Sequence, residues 1–177
     1  MPLPTIVTPT YELELPSTGK KVKYRPFLVK EEKLLVLALE TENTKDISTA
    51  IKTVLKSCIQ SRGVKVDNLP TFDIEYLFLN IRGKSVGEEI EVNLISPDDN
   101  VTEVPVTINV DDIEVKKSED HNKKVKLDDT LVMEMKYPSL DQFIKSNFDF
   151  GDEVTMDQSF DLIASCIDKI YNEEEVW

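Results

Sequence analysis

The feature that most constrains this chain is a change in the spacing of its apolar residues at Gly87. Before it, Ile47, Ile51, Val54, Leu55, Cys58 and Ile59 form one stripe at the helical period, which predicts a helix over Asp46–Gln60. Ile74, Leu77, Phe78 and Ile81 repeat that period after the start signal Pro70-Thr71, with Thr71 as the expected N-cap and an end near Gly83. Beyond Gly87 the period becomes two. Ile90, Val92 and Leu94 alternate with Glu89, Glu91 and Asn93, and Val104, Val106, Ile108 and Val110 repeat the pattern after the turn Pro97-Asp98-Asp99-Asn100. An antiparallel hairpin with one wet face follows from that alternation.

The flanks extend both patterns. Tyr11, Leu13, Leu15, Val22 and Tyr24 alternate around Pro16-Ser17-Thr18-Gly19, predicting a hairpin whose second strand ends near Pro26. Strong helix formers over Val29–Thr41 predict a first helix. Ile113–Lys117 and Val125–Leu127 read as a further strand pair, and Leu131–Tyr137 as a last strand, suiting a meander or small barrel. Ser139 with Gln142 and Thr155 with Gln158 form capping-box patterns, the first opening a short helix through Phe143 and Ile144. Phe160, Ile163, Ala164, Ile167, Ile170 and Tyr171 then predict an amphipathic helix with Cys166 beside its stripe, and Asn172–Val176 its frayed end. The expected fold class is α+β. Its parts are an N-terminal hairpin and helical part (1–86), an antiparallel β part (87–137) and a C-terminal helical part (138–177), forming one compact unit or two small packed subdomains.

Composition bounds the function. Hydrophobic residues make up 40% of the 177, enough for a core without a disulfide or metal staple. Thirty-four acidic against 21 basic residues give a net charge of −13, which phosphate backbones and anionic lipids repel. Nucleic-acid and membrane partners are therefore not expected. No stretch has the apolar length of a membrane span and no charged, apolar leader opens the chain, so a protein neither secreted nor membrane-embedded is expected. Cys58 and Cys166 lack the spacing of a disulfide framework or zinc knuckle, which favours a reducing compartment, and Cys58 falls inside a helical stripe as a core filler.

Chemistry is hard to find. His121 is the sole histidine and lies in the polar run Ser118–Lys124, so it reads as a solvated loop residue with nothing to fix its tautomer for proton relay. No metal motif is present, and Asp98-Asp99 and Asp111-Asp112 read as turn aspartates. Asp73 and Glu75 sit in the first turn of a predicted helix, where the dipole favours acids without catalysis. Gly83 and Gly87 flank Lys84-Ser85 in helix-to-strand order, the reverse of a phosphate loop. No catalytic residue, metal or cofactor is expected; a binding or structural module is.

Three stretches carry a family resemblance: Tyr11-Glu-Leu-Glu-Leu-Pro-Ser-Thr-Gly19 with Tyr24-Arg-Pro-Phe-Leu-Val-Lys-Glu-Glu-Lys33; Leu69-Pro-Thr-Phe-Asp-Ile-Glu-Tyr-Leu-Phe-Leu-Asn-Ile-Arg-Gly-Lys-Ser-Val-Gly-Glu88; and Met135-Lys-Tyr-Pro138. Together they resemble the T-even bacteriophage base plate protein family over most of residues 10–172. The resemblance implies a non-enzymatic assembly factor for the baseplate hub, made in the host cytoplasm, with other hub proteins and the tape measure protein as clients. Its alternative is a structural baseplate subunit retained in the virion. Members of such families usually continue with a further acidic helical segment beyond the part that corresponds to Asn172-Glu-Glu-Glu-Val-Trp177. Residues expected to meet a partner are Arg25, Phe27 and Lys30 at the strand-to-helix junction and Tyr76, Arg82 and Ser85 around the third helix. As purely structural groups, Phe27 and Tyr76 would join the core and Arg82 would cap the helix C-terminus. The C-terminal helix is a second candidate surface.

Overall fold

A computed structural model describes residues 7–116, 118, 121–145 and 155–177. The architecture is α+β, with five α-helices and three small antiparallel sheets, none of them closed, among the described residues. Contacts divide the chain into two compact units: residues up to Val64 with Glu75–Val115, and Lys65–Ile74 with Lys116–Trp177.

The first unit opens with β1 (Tyr11–Glu14) and β2 (Lys21–Tyr24), paired as Tyr11↔Tyr24 and Leu13↔Val22. Their turn needs Gly19, whose φ of 69° is strained for any side chain. Helix α1 (Val29–Glu40) follows, then α2 (Thr44–Cys58), capped by Asn43, whose side-chain oxygen accepts from the N–H groups of Lys45 and Asp46. The α2 stripe lies as its period predicts: Val54, Leu55 and Cys58 are fully buried, with Leu15, Val22, Tyr24, Leu77 and Ile81 in the same core. Helix α3 (Thr71–Val86) contributes its first residues to the second unit and the rest to the first. Strands β3 (Glu89–Ile95) and β4 (Glu103–Asn109) pair with Ile90↔Ile108, Val92↔Val106 and Leu94↔Val104 in register, the alternation read from sequence. Gly87 makes the helix-to-strand corner at a φ of 133°.

In the second unit, β5 (Lys124–Lys126), β6 (Val132–Met135) and β7 (Ile167–Tyr171) form one antiparallel sheet in that order. Helices α4 (Leu140–Lys145) and α5 (Met156–Ser165) separate β6 from β7. Both capping boxes form: Ser139 with Gln142, and Thr155 with Gln158.

Five local expectations are corrected. Ile113–Lys116 forms no strand, because β5 pairs instead with β6; Lys117 lies outside the described residues. Among the described residues the central block is two separate sheets rather than one, and no barrel closes. The last helix stops at Ser165, and Ile167, Ile170 and Tyr171, β-branched and aromatic, enter the sheet beside β6. Asn172–Val176 is a turn rather than a frayed end: the Asn172 side chain accepts from the N–H groups of Glu174 and Glu175, and Ile170 and Trp177 exchange backbone bonds of 2.9 and 2.7 Å. Thr71 is not a cap. Its hydroxyl is buried without a partner, while the Pro70 carbonyl accepts from Asp73 and Ile74, and α3 runs past Gly83 to Val86.

Candidate partner-binding surface

Two of the residues singled out at the strand-to-helix junction, Arg25 and Lys30, meet a buried carboxylate, Glu31, that the sequence reading missed. Arg25 leaves β2 with its N–H donating to the Cys58 carbonyl at 3.0 Å, which sets its side chain over the C-terminal end of α2. Its guanidinium reaches Glu31 Oε1 at 2.9 Å, Ser57 Oγ at 2.9 Å and the Pro26 carbonyl at 2.8 Å. The Ser57 hydroxyl donates to the same Glu31 oxygen at 2.7 Å, and the Leu28 N–H donates to Glu31 Oε2 at 2.8 Å. Glu31 thus caps the start of α1 while its own charge is neutralised. Burial raises its pKa, but the bonds from Ser57, Arg25 and Leu28 outweigh burial and hold the carboxyl down to about 2. Lys30 pairs with the same Glu31 oxygen from the solvent side at 3.4 Å, with its side chain 71% exposed.

Phe27 and Ser85 meet directly. The Phe27 N–H donates to Ser85 Oγ at 2.9 Å, and that hydroxyl donates to the Ile81 carbonyl, tying the loop before α1 to the last turns of α3. Phe27 is half-buried, as are Tyr76 and Arg82. Among the described residues neither Tyr76 nor Arg82 bonds to the Arg25 and Glu31 network, and Arg82 Nη1 is buried without a partner, so that nitrogen caps no carbonyl. Beside them, Lys84 bonds Glu88 and lies 3.2 Å from Asp111, which raises its pKa despite desolvation and holds its ammonium 5.9 Å from the centre of the Tyr11 ring.

What this scaffold presents is α1. A helix packed on one side normally shows one apolar stripe, whereas apolar residues here surround the axis. Ala38 and Glu31 face the core, yet Val29, Val36, Leu37 and Leu39 are 79, 50, 50 and 60% exposed. Lys33 and Glu40 flank them on the outer side. The signal was present in Val29–Glu40, where valine, leucine and alanine fill seven of twelve positions without leaving a polar face.

The second unit has its own exposed apolar row, Met156, Phe160 and Ile163, along α5, none of whose residues is fully buried. His121 is exposed as expected, but it does have a partner: the Tyr137 hydroxyl lies 2.7 Å from Nε2 and the two rings stack. Tyr137 also packs edge-on against Phe72. Among the described residues no group of three or more metal-ligating side chains assembles, and no helix is long and apolar enough to cross a membrane. Cys58 is fully buried, which pushes its thiol up to about 11.

No curated protein and no solved structure matches the chain. The model of one family does, that of the T4 bacteriophage base plate protein, over residues 8–177. With nearly its whole length inside that match, the chain belongs to the T4 bacteriophage base plate protein family, so its setting is the phage baseplate or its assembly and its partners are other baseplate proteins.

Proposed function

We propose that the protein is an assembly factor for the baseplate hub, a non-enzymatic, chaperone-like binder that holds a hub protein or the tape measure protein in the host cytoplasm during tail morphogenesis. The observation that carries this reading is α1, whose outer face leaves Val29, Val36, Leu37 and Leu39 in water. Assembly factors shield a partner's unpaired apolar surface until the next component arrives, and an exposed apolar helix face supplies such cover reversibly. The Arg25, Glu31 and Ser57 network and the Phe27–Ser85 bond hold the start of that helix in place, beside the residues expected to meet a partner.

Co-expression with each hub protein and with the tape measure protein, followed by affinity capture, tests the reading. A complex that forms with wild type, is lost in Val36→Asp/Leu37→Asp, and is missing from purified virions supports it. Stoichiometric protein in virions makes it a structural subunit, and unbound protein in every pairing overturns both.

A further inference from the structure

The β3–β4 hairpin has two edges that no other strand pairs among the described residues, and its hydrogen-bond parity shows which backbone groups each turns outward. Val110 N–H donates to the Glu88 carbonyl and Ser96 N–H to the Thr102 carbonyl, each at 2.8 Å, so the pairs 88/110 and 96/102 are hydrogen-bonded ones. Antiparallel ladders alternate, so Ile90↔Ile108, Val92↔Val106 and Leu94↔Val104 also point their backbone groups inward. The outward groups of β3 then belong to Glu89, Glu91, Asn93 and Ile95, and those of β4 to Glu103, Pro105, Thr107 and Asn109. Pro105 has no N–H, which interrupts the β4 edge at its middle. The β3 edge is complete, and no other strand pairs with it among the described residues.

Two further observations say what would pair there. The hairpin's apolar face is open, with Leu94, Val104 and Ile108 at 52, 47 and 39% exposure, so an added strand gains apolar cover as well as backbone bonds. From Ser85 to Val115 the sequence holds nine acidic residues and no lysine or arginine. Edge strands are usually protected by lysine or proline, yet β3 carries only glutamates, Glu89 and Glu91, both exposed. A second copy of this chain would set those glutamates against their equivalents in a body of charge −13. A basic strand would pair with them.

We infer that the outer edge of β3 is a docking site for an extended segment of a partner protein in which apolar residues alternate with lysine or arginine. The segment adds as a third strand: its apolar side chains extend the face of Val92 and Leu94, and its cations lie on the face of Glu89 and Glu91. The inference rests on the chain being a protein-binding baseplate component and is independent of α1.

The probe is an acetylated ten-residue peptide of alternating valine and lysine, with a valine–glutamate peptide as its counterpart, titrated into the full chain and followed by amide hydrogen exchange. Binding of the basic peptide should slow exchange at Glu89, Glu91, Asn93 and Ile95 by about tenfold or more and weaken with salt. Glu91→Pro removes only an outward N–H and should abolish protection; Thr107→Pro, its counterpart on β4, should leave it. Glu89→Lys/Glu91→Lys, which spares the backbone, should reverse the preference to the acidic peptide. Equal binding of both peptides, equal loss in the two proline variants, protection elsewhere, or concentration-dependent pairing of the chain with itself would overturn the inference. If the peptide fails while a baseplate protein is still captured in co-expression, the edge is refuted and the assembly reading stands.

Discussion

Replacing Glu31 by glutamine tests whether the buried network, rather than apolar packing alone, fixes the start of α1. The carboxylate is 4% exposed and its pKa falls from an ordinary 4.5 to about 2. That fall corresponds to about 3 kcal/mol favouring the charged, folded form at neutral pH. Glutamine keeps an acceptor for Ser57 but leaves the Arg25 guanidinium, whose side chain is 13% exposed, without its counter-charge. Because the folded pKa is the lower one, the stabilisation is complete above about pH 4.5 and is lost as pH falls toward about 2. The wild-type advantage over Glu31→Gln should therefore be about 3 kcal/mol at pH 7 and shrink to about half that near pH 3. Urea unfolding followed by far-UV circular dichroism, with exchange of the α2 amides reporting the first unit, measures both points. A gap under about 1 kcal/mol at neutral pH, or one constant between about pH 5 and 3, would refute the argument that this ion pair holds α1.

Leu55→Ala, at a fully buried site, should destabilise the first unit by about 2–5 kcal/mol, whereas Leu37→Ser on the exposed face of α1 should change stability by under about 0.5 kcal/mol while weakening partner capture; chemical denaturation beside co-expression separates the two. Gly87→Ala meets no atom within 4 Å, so its expected loss of about 1–3 kcal/mol in the same melts arises from backbone strain at a φ of 133°. In native protein a thiol reagent should modify half-buried Cys166 well before Cys58, whose burial raises its pKa to about 11; mass mapping of the labelled peptides checks the order, and equal rates would contradict the packing around α2.

Periodicity alone specified much of this molecule. The α2 stripe from Ile47 to Cys58, the α3 stripe from Ile74 to Ile81 and the β3–β4 register follow from which side chains avoid water at a spacing of 3.6 or two residues. So do the Ser139 and Thr155 caps, because a cap is satisfied within three residues of itself. Of the expected contact residues, Arg25, Phe27 and Ser85 were legible as a cluster only in part. Their bonds to Glu31, Ser57 and one another cross 6 to 58 positions of sequence, and Glu31 itself looks like any acid in a first helical turn until Arg25 is placed beside it. The tertiary structure also decided β7. Ile167, Ile170 and Tyr171 are spaced as a helical stripe, but as β-branched and aromatic residues they also suit a strand, and the choice falls to β6, whose Met133 pairs with Ile170. Thr71 shows the same limit from the other side, since the Pro70 carbonyl accepts the bonds at the start of α3 and leaves its hydroxyl buried without a partner. What is local and periodic in this chain is determined by its own residues; what depends on a partner distant in sequence was settled only when the chain folded and that partner arrived, because either reading was locally satisfied until then.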